Sequence, residues 1–130
     1  MPDVYDGFGF SDTITAGEDL SASAKQYKAI ELDGTLANDT DTAIGILMNK
    51  PKSGEAAQVK MLGKMMGYAG AALAAKDLLK VTTSGYIIKC ASGDRVAPIG
   101  KNLNAAVASG DLFTFFGNFI NAGAVKVSSY

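Results

Sequence analysis

Few of the residues that most often carry out catalysis occur in this sequence, and this restricts the reactions that it could support. The 130 residues include no histidine and a single cysteine, Cys90. Ser-His and Cys-His nucleophilic pairs therefore cannot form, and the commonest zinc ligand is missing. Cys90 lies in the strand-like run "GYIIKC", so we interpret it as a small apolar residue of the interior rather than as an activated nucleophile. One cysteine also excludes a disulfide within the chain.

Carboxylates are the remaining candidates for acid–base chemistry. The sequence has 13 acidic residues, and most of them stand beside Gly, Ser, Thr or Asn, a context that is typical of turns. A glycosidase would need two carboxylates on opposite sides of a cleft, which the sequence does not reveal, and the spacing of an EF-hand is absent. We therefore predict that the protein is not an enzyme and has no catalytic residue, no metal site and no cofactor.

The charge and hydropathy patterns predict neither a nucleic-acid nor a membrane partner. Twelve basic and 13 acidic residues give a net charge of −1, without the basic footprint of a nucleic-acid-binding protein. The densest basic group is Lys50, Lys52, Lys60 and Lys64, which we interpret as a solvated face, with a phosphate site as the alternative. No apolar run approaches the roughly 18 residues of a membrane helix. The start, "MPDVYDGFGF", lacks a signal-peptide pattern, so we expect the chain to mature where it is made.

The elements that would position functional residues are mainly strands. "YKAIELDGTLAND" predicts a hairpin that turns at Asp33-Gly34, a preferred two-residue turn. Thr42 to Met48 predicts a short apolar strand, and "AAQVKMLG", continued by "KMMGYAG", predicts a longer one. The alanine-rich segment Ala69 to Val81 is predicted as a loop or a single helical turn that leads into a strand, with a full helix as the alternative on propensity.

Short patterns recur in the second half of the chain at nearly constant spacing. The matches are Gln26–Gly34 with Asp77–Gly85 at a shift of 51, Ile44-Gly45 with Ile99-Gly100 at 55, and Ser53-Gly54-Glu55 with Ser109-Gly110-Asp111 at 56. Neither copy could bury its apolar face alone, so the two copies should pack together. We therefore predict a mainly β protein, a compact β-sandwich or barrel-like domain built from two similar β-units at about 17–68 and 69–117, with a C-terminal strand in 118–130.

Residues 1–16 are predicted to form an extended N-terminal arm in front of a single β domain of residues 17–130. Tyr5, Phe8 and Phe10 alternate with glycine and aspartate in this arm. Segments rich in glycine lose much entropy on ordering unless something holds them. Either the edge of the domain or another chain would hold the arm.

The strand "LFTFFG" is apolar on both faces. Phe113 and Phe115 share one face, and Phe116 lies on the other. A strand of this kind is central or covered. Either both faces belong to the core, or one of them meets a partner chain.

Two lines of the sequence resemble a known family. These lines are "ITAGEDLSASAKQYKAIELDG…AIGILMNKPKSGEAAQVKMLG" and "AGAALAAKDLLKVTTSGYIIKCASGD…PIG…ASGDLFTFFG". They resemble the small head decoration proteins of tailed bacteriophages, also called capsid cement proteins, through ordered short patterns such as Ile-Gly, Asn-Lys-Pro and Ser-Gly-acid between Ile14 and Gly117. The resemblance implies a structural virion protein without catalytic function, made in the host cytoplasm and located on the outer capsid surface.

The resemblance also implies partners. Proteins of this family are compact β domains, often homotrimers, that bind an expanded icosahedral shell and stabilise it by clamping neighbouring major capsid subunits. The expected partners are the major capsid protein and further copies of this chain, and not nucleic acid or a membrane. In several relatives an N-terminal arm contacts the shell, which by position alone suggests capsid or subunit contacts for Val4, Tyr5, Phe8 and Phe10.

A β-fold binding module that recognises a glycan or a cell-surface ligand is the main alternative. Tyrosine rings can stack on sugars, although the absence of tryptophan weakens this interpretation. The tyrosines are Tyr5, Tyr27, Tyr68, Tyr86 and Tyr130. A hydrolase that uses a carboxylate pair is the third interpretation.

Overall fold

The computed structural model describes residues 9–91 and 98–119, which form a mainly β structure with one nearly closed, barrel-like sheet. This confirms the fold class predicted from the sequence. Two short 3-10 turns, Ser23–Lys25 and Thr83–Gly85, accompany the strands, and the described ranges contain no helix long and apolar enough to cross a membrane. The strands are β1 (Gly9–Thr15), β2 (Ala29–Glu31), β3 (Ala43–Leu47), β4 (Ala56–Tyr68), β5 (Leu73–Ala74), β6 (Leu78–Val81), β7 (Ile87–Lys89), β8 (Gly100–Asn102), β9 (Ala106–Val107) and β10 (Leu112–Asn118).

The strand order of the main sheet is symmetrical about its centre. The order is β2-β3-β4-β10-β8-β6-β7, and β1 pairs with β4 beside this path. β4 and β10 lie side by side, β3 and β8 flank them, and β2 and β6 come next, with antiparallel pairing throughout. β5 and β9 form a separate two-stranded sheet. The two similar units therefore meet along β4 and β10.

β4 belongs to both units, which we define as the first unit (residues 9–61) and the second unit (residues 62–119). β1 pairs with residues 56–63 of β4. In the same way, residues 62–68 of β4 pair with β10. The second half of β4 therefore has the same place in the second unit that β1 has in the first unit.

Part of the predicted N-terminal arm lies in the sheet. Gly9–Thr15 is β1, and it pairs with β4 from Gly9 opposite Gly63 to Thr15 opposite Ala56. In the described residues, the domain's own sheet therefore holds this segment. Residues 1–8 and the C-terminal strand expected beyond Phe119 lie outside the described residues. The domain limits given above stay a prediction.

The repeated Ser-Gly-acid pattern forms the same turn in both units. Gly54 and Gly110 have φ values of +86° and +88°, a conformation that glycine adopts without steric penalty. The amide of Gly54 donates to the carbonyl oxygen of Ala16 at 2.8 Å, and the amide of Gly110 donates to that of Ala69 at 2.7 Å. Each turn therefore fixes the start of its unit's last strand.

The repeated Ile-Gly pattern allows two strands to approach closely. A Cβ atom added to Gly45 would lie 2.5 Å from the carbonyl oxygen of Lys60 on β4. A Cβ atom added to Gly100 would collide with the carbonyl oxygen of Phe116 on β10. Glycine is thus required in both units because the neighbouring backbone leaves no room for a side chain.

The sequence predicted that corresponding residues in the first strands of the two units are 51 positions apart. Within the strands this spacing is wrong. Ile30 pairs with Gly45, and Leu79 pairs with Gly100, so these residues correspond at a shift of 49. The turn begins one residue after Ile30, at Glu31, but three residues after Leu79, at Thr82, and the β2–β3 pairing is irregular after Ile30. The turns that follow do correspond at 51, through the bonds from Glu31 N–H to Thr35 O and from Thr82 N–H to Tyr86 O, both 2.8 Å.

Two local predictions can be compared with the structure. The hairpin predicted at Asp33-Gly34 is reduced to a turn, because β2 pairs with β3 and an isolated bridge from Ile30 to Leu36 follows the turn. The alanine-rich segment 69–81 contains no helix, and its path through the short β5 into β6 agrees with the predicted loop that leads into a strand.

Each unit has an apolar core on one face of its strands. The core of the first unit contains Ala16, Leu20, Ile30, Leu47, Ala57 and Val59. The other core cluster contains the matching residues Ala69, Leu73, Leu79, Phe113 and Phe115 of the second unit, together with Ala29, Ala43 and Ile46 of the first. These last three residues lie on the opposite face of the first unit's strands, which we call its outer face. The outer face of the first unit therefore packs against the second unit.

Candidate contact surface

A row of three side chains crosses the outer face of each unit from strand to strand. The first row consists of Ala29, Ile46 and Lys60, on β2, β3 and β4. The second row consists of Leu78, Lys101 and Phe116, on β6, β8 and β10. The two rows occupy the same place in the repeat.

The two rows differ in exposure. Ala29 and Ile46 are fully buried, and Lys60 is 1% exposed. In the second row, Leu78 is 48% exposed and Phe116 is 53% exposed, and Lys101 between them is exposed as well. The second row is therefore an apolar surface with a cation at its centre.

A shallow depression of about 500 Å³ lies over the second row. The row and its neighbours form a surface that we call the outer patch, which consists of Leu78, Pro98, Gly100, Lys101, Leu103 and Phe116. The described residues expose five large apolar side chains, and three of them, Leu78, Leu103 and Phe116, belong to this patch. Exposed apolar side chains that are clustered rather than scattered mark a contact site.

The first row is covered by a turn of the second unit. Gly85 in the turn Thr83–Gly85 lies directly on Ala29, since a Cβ atom added to Gly85 would be 2.9 Å from the Ala29 nitrogen. Three hydrogen bonds join this turn and the end of β6 to the first unit: Gly85 N–H to Ala37 O at 2.6 Å, Ser84 N–H to Asn38 Oδ1 at 3.0 Å, and Val81 N–H to Thr40 Oγ1 at 2.9 Å. A turn that packs on the row thus buries the outer face.

A cation–π contact also joins the two units. The Nζ atom of Lys28 lies 4.0 Å from the ring centroid of Tyr86 and 6.0 Å from that of Tyr68. Such contacts stabilise when the cation lies within about 6 Å of the ring. Tyr27 packs against the larger core cluster. The three described tyrosines therefore have contacts within the protein, which does not favour the alternative in which they stack on sugars.

Phe10 is the one predicted contact residue that lies within the described residues; Val4, Tyr5 and Phe8 lie outside them. It pairs with Leu62 across β1 and β4, and its side chain is 49% exposed. The pairing fixes the backbone of Phe10 on the sheet while its ring faces solvent. Phe10 does not belong to the outer patch, so the one predicted contact residue that the structure describes lies outside this patch.

Carboxylates in the described residues stabilise turns. Asp19 accepts hydrogen bonds from the hydroxyl and amide of Ser21 at 2.6 and 3.0 Å, and these bonds lower the pKa of its carboxyl group. Asp33 accepts the same pair from Thr35. This agrees with the turn chemistry inferred from the sequence. Within the described ranges, no group of three His, Cys, Asp or Glu side chains is placed to hold a metal ion.

Leu78 and Leu103 were not predicted as contact residues from the sequence, whereas Phe116 was noted for the strand face that it occupies. A signal was present in the repeat. With the corrected register, Leu78 occupies the position in the repeat that Ala29 has in the first unit, and Phe116 occupies the position of Lys60. Large apolar residues thus replace a small one and a lysine on the face that the fold leaves exposed.

Comparison with known proteins shows the fold. No family model matches the chain, and no curated protein matches it. Among solved structures, the N base of head fiber gp8.5 from bacteriophage phi29 is similar, with a TM-score of 0.65 at 17% sequence identity, over 91% of this chain and 97% of that chain. At this identity the likeness establishes a shared fold over nearly the whole length of both chains.

Proposed function

We propose that this chain is a structural protein of a tailed-phage virion that attaches to the outside of the capsid, contacts the major capsid protein and stabilises the shell as a homotrimer. The observation that carries the proposal is the near-complete likeness to the base of a phage head fiber. The resemblance of the two sequence lines to head decoration proteins supports the same conclusion independently. Both lead to a protein of the phage head.

The geometry of the described residues suits this role. A nearly closed sheet with core clusters on both faces of the first unit is stiff, and the outer patch offers an apolar area for a partner. An interface of standard size buries about 1,600 Å² in total. Such an interface supports affinities from micromolar to picomolar, which suffices for a protein that binds many equivalent sites.

Co-sedimentation with expanded, undecorated capsids of the encoding virus tests this function. We expect saturation at a fixed number of copies per shell, at a multiple of the number of threefold sites. Capsids that already carry the protein are the control, since their sites are filled. Absence of binding to undecorated shells would contradict the proposal and favour a ligand-binding module.

The role proposed for the N-terminal arm needs a narrower truncation than the whole of 1–16. Removal of residues 1–8 leaves β1 and its pairing with β4 intact, so the domain should remain folded. We expect this variant to bind the capsids with lower affinity, because Val4, Tyr5 and Phe8 are lost. A matched variant, Phe10→Ser, separates the contribution of the exposed ring on β1. Unchanged capsid occupancy for both variants would reject the contact role of the arm.

A further inference from the structure

The outer patch lacks a cover within the described residues, whereas its counterpart in the first unit is covered. The cover of the first row is the turn Thr83–Gly85 of the second unit, which lies on Ala29. The strands that carry the outer patch are arranged like the strands that carry the first row. We therefore expect the outer patch to accept a turn as well. The first candidate for a partner is therefore another β-unit of this sequence.

The first unit exposes the tip of the matching turn, Leu32 and Asp33, while Gly34 is buried against Thr15 and Gly17. This turn, Glu31–Gly34, corresponds to Thr82–Gly85 at a shift of 51, and the two turns share a backbone bond from the glycine amide to the first residue's carbonyl oxygen, at 3.0 and 3.2 Å. Leu32 at its tip is 73% exposed, the largest exposure among the large apolar side chains of the described residues. One chain thus carries an apolar tip on its first unit and an apolar depression on its second unit.

The charges of the two surfaces are complementary. Glu31 and Asp33 flank Leu32 in the turn, and Lys101 lies at the centre of the outer patch between Leu78 and Phe116. Opposite charges around an apolar contact orient the partners and exclude wrong registers. A carboxylate beside Leu32 would meet the ammonium of Lys101 if Leu32 enters the depression.

We propose that a second copy of this chain docks the exposed Leu32 tip of its Glu31–Gly34 turn onto the outer patch, at the place that corresponds to the one where a turn of the second unit covers the first row within one chain. The contact joins two different surfaces and is therefore heterologous. Such contacts close into rings when the rotation between copies permits it, as a homotrimer requires. The inference rests on the homotrimer of the proposed function and names the surfaces that form it.

Sedimentation analysis of the purified full-length chain, in the absence of capsids, tests the inference. The wild-type chain should form a discrete oligomer that dissociates on dilution. Lys101→Glu and Glu31→Lys should each weaken self-association about tenfold or more, because like charges then face each other. The double variant should recover most of the association, since the opposite charges face each other again. Lys50→Glu, an equal charge change at an exposed position outside both surfaces, should leave the association unchanged.

Phe116→Lys provides a second variant whose fold is secure, since this side chain is half exposed and lysine stands at the matching position of the first unit. We expect a folded monomer. A wild-type chain that is monomeric at every concentration would overturn the inference. An oligomer that tolerates both Lys101→Glu and Phe116→Lys, or a double variant without recovery, would overturn it too.

Capsid binding separates this inference from the function on which it rests. A monomeric chain that still co-sediments with capsids, and loses this binding in Phe116→Lys, would assign the outer patch to the capsid protein and overturn docking by a second copy. The proposed attachment to the capsid would then stand, without the homotrimer. An oligomer of the expected behaviour that binds no capsid would leave the docking surfaces supported and contradict the function.

Discussion

The two units have the same backbone arrangement. The outer face of the first unit is nevertheless buried inside the protein, whereas the outer face of the second unit is exposed. Ala29 and Ile46 are fully buried, while their counterparts Leu78 and Lys101 are exposed. The same glycine turns and close strand contacts occur in both units. The repeat thus determines the backbone and the core of each unit, whereas the neighbour of each unit determines which residues suit its outer face.

The largest effect should come from the two faces of β10. Phe115→Ala should lower the free energy of unfolding by about 3–5 kcal/mol, because the ring is fully buried and its removal leaves a cavity. Phe116→Ala, one residue further on, should change it by less than about 1 kcal/mol, because the ring is half exposed. Urea denaturation in dilute solution measures both. Equal losses would mean that Phe116 also belongs to a core.

The next effect concerns the close strand approach in each unit. Gly45→Ala and Gly100→Ala should each lower the free energy of unfolding by about 3 kcal/mol, since the new methyl group meets a backbone carbonyl and neither strand can move freely. Gly110→Ala is the control, because no atom lies within 4 Å of its added Cβ. The positive φ there should cost about 1 kcal/mol. If one of the first two variants is as stable as the wild type, the two units do not share this approach.

A smaller effect should come from two matching asparagines. Asn104 Oδ1 accepts a hydrogen bond from the amide of Thr114 at 2.7 Å, and Asn49 Oδ1 accepts one from Gln58 at 3.0 Å. Asn104→Ala should cost about 2 kcal/mol and Asn49→Ala about 1 kcal/mol, because the first bond is partly buried. The aspartate variants keep the acceptor oxygen and should lose less in thermal denaturation. A larger loss at Asn49 would contradict the order.

The smallest effect concerns Asp19, whose counterpart in the second unit is Ala72. Hydrogen bonds from Ser21 hold the pKa of the Asp19 carboxyl below its ordinary value of 3.8. A folded-state pKa below the unfolded one adds stability above the unfolded pKa, and this contribution is lost as the pH falls through the folded pKa. Asp19→Ala should therefore lower the melting temperature slightly at neutral pH, with the difference fading in acid. Ser21→Ala should mimic it, and a difference that grows in acid would contradict this assignment.

The sequence revealed those parts of the fold that backbone geometry imposes on single residue types. Gly54 and Gly110 mark a left-handed turn, and Gly45 and Gly100 mark a close approach, so the repeat was visible despite few identities. The register of β6 was not visible in the sequence, because two extra residues before a turn leave the alternating pattern of apolar residues unchanged. Hydrogen-bonded aspartates, such as Asp33, were interpreted correctly because their context is local.

The outer patch could not be predicted from the sequence, and the reason is physical. Whether Leu78 and Phe116 are buried depends on the position of another unit, and alternation along a strand does not report that position. Phe116 was recognised as lying on the second face of an apolar strand, a pattern that favoured the core and left a partner contact as the alternative. Comparing Phe116 with Lys60 at the corrected register would have favoured the partner contact.

The shared strand β4 has a consequence for how the chain unfolds. Its 13 residues run without interruption through both units and pair with β1 and β3 in the first and with β10 in the second. If either unit unfolded, β4 would lose strands that pair with it, and the remaining unit would be left with an unpaired strand edge. The two halves should therefore melt in a single cooperative transition, and neither half should persist as an autonomous folding unit.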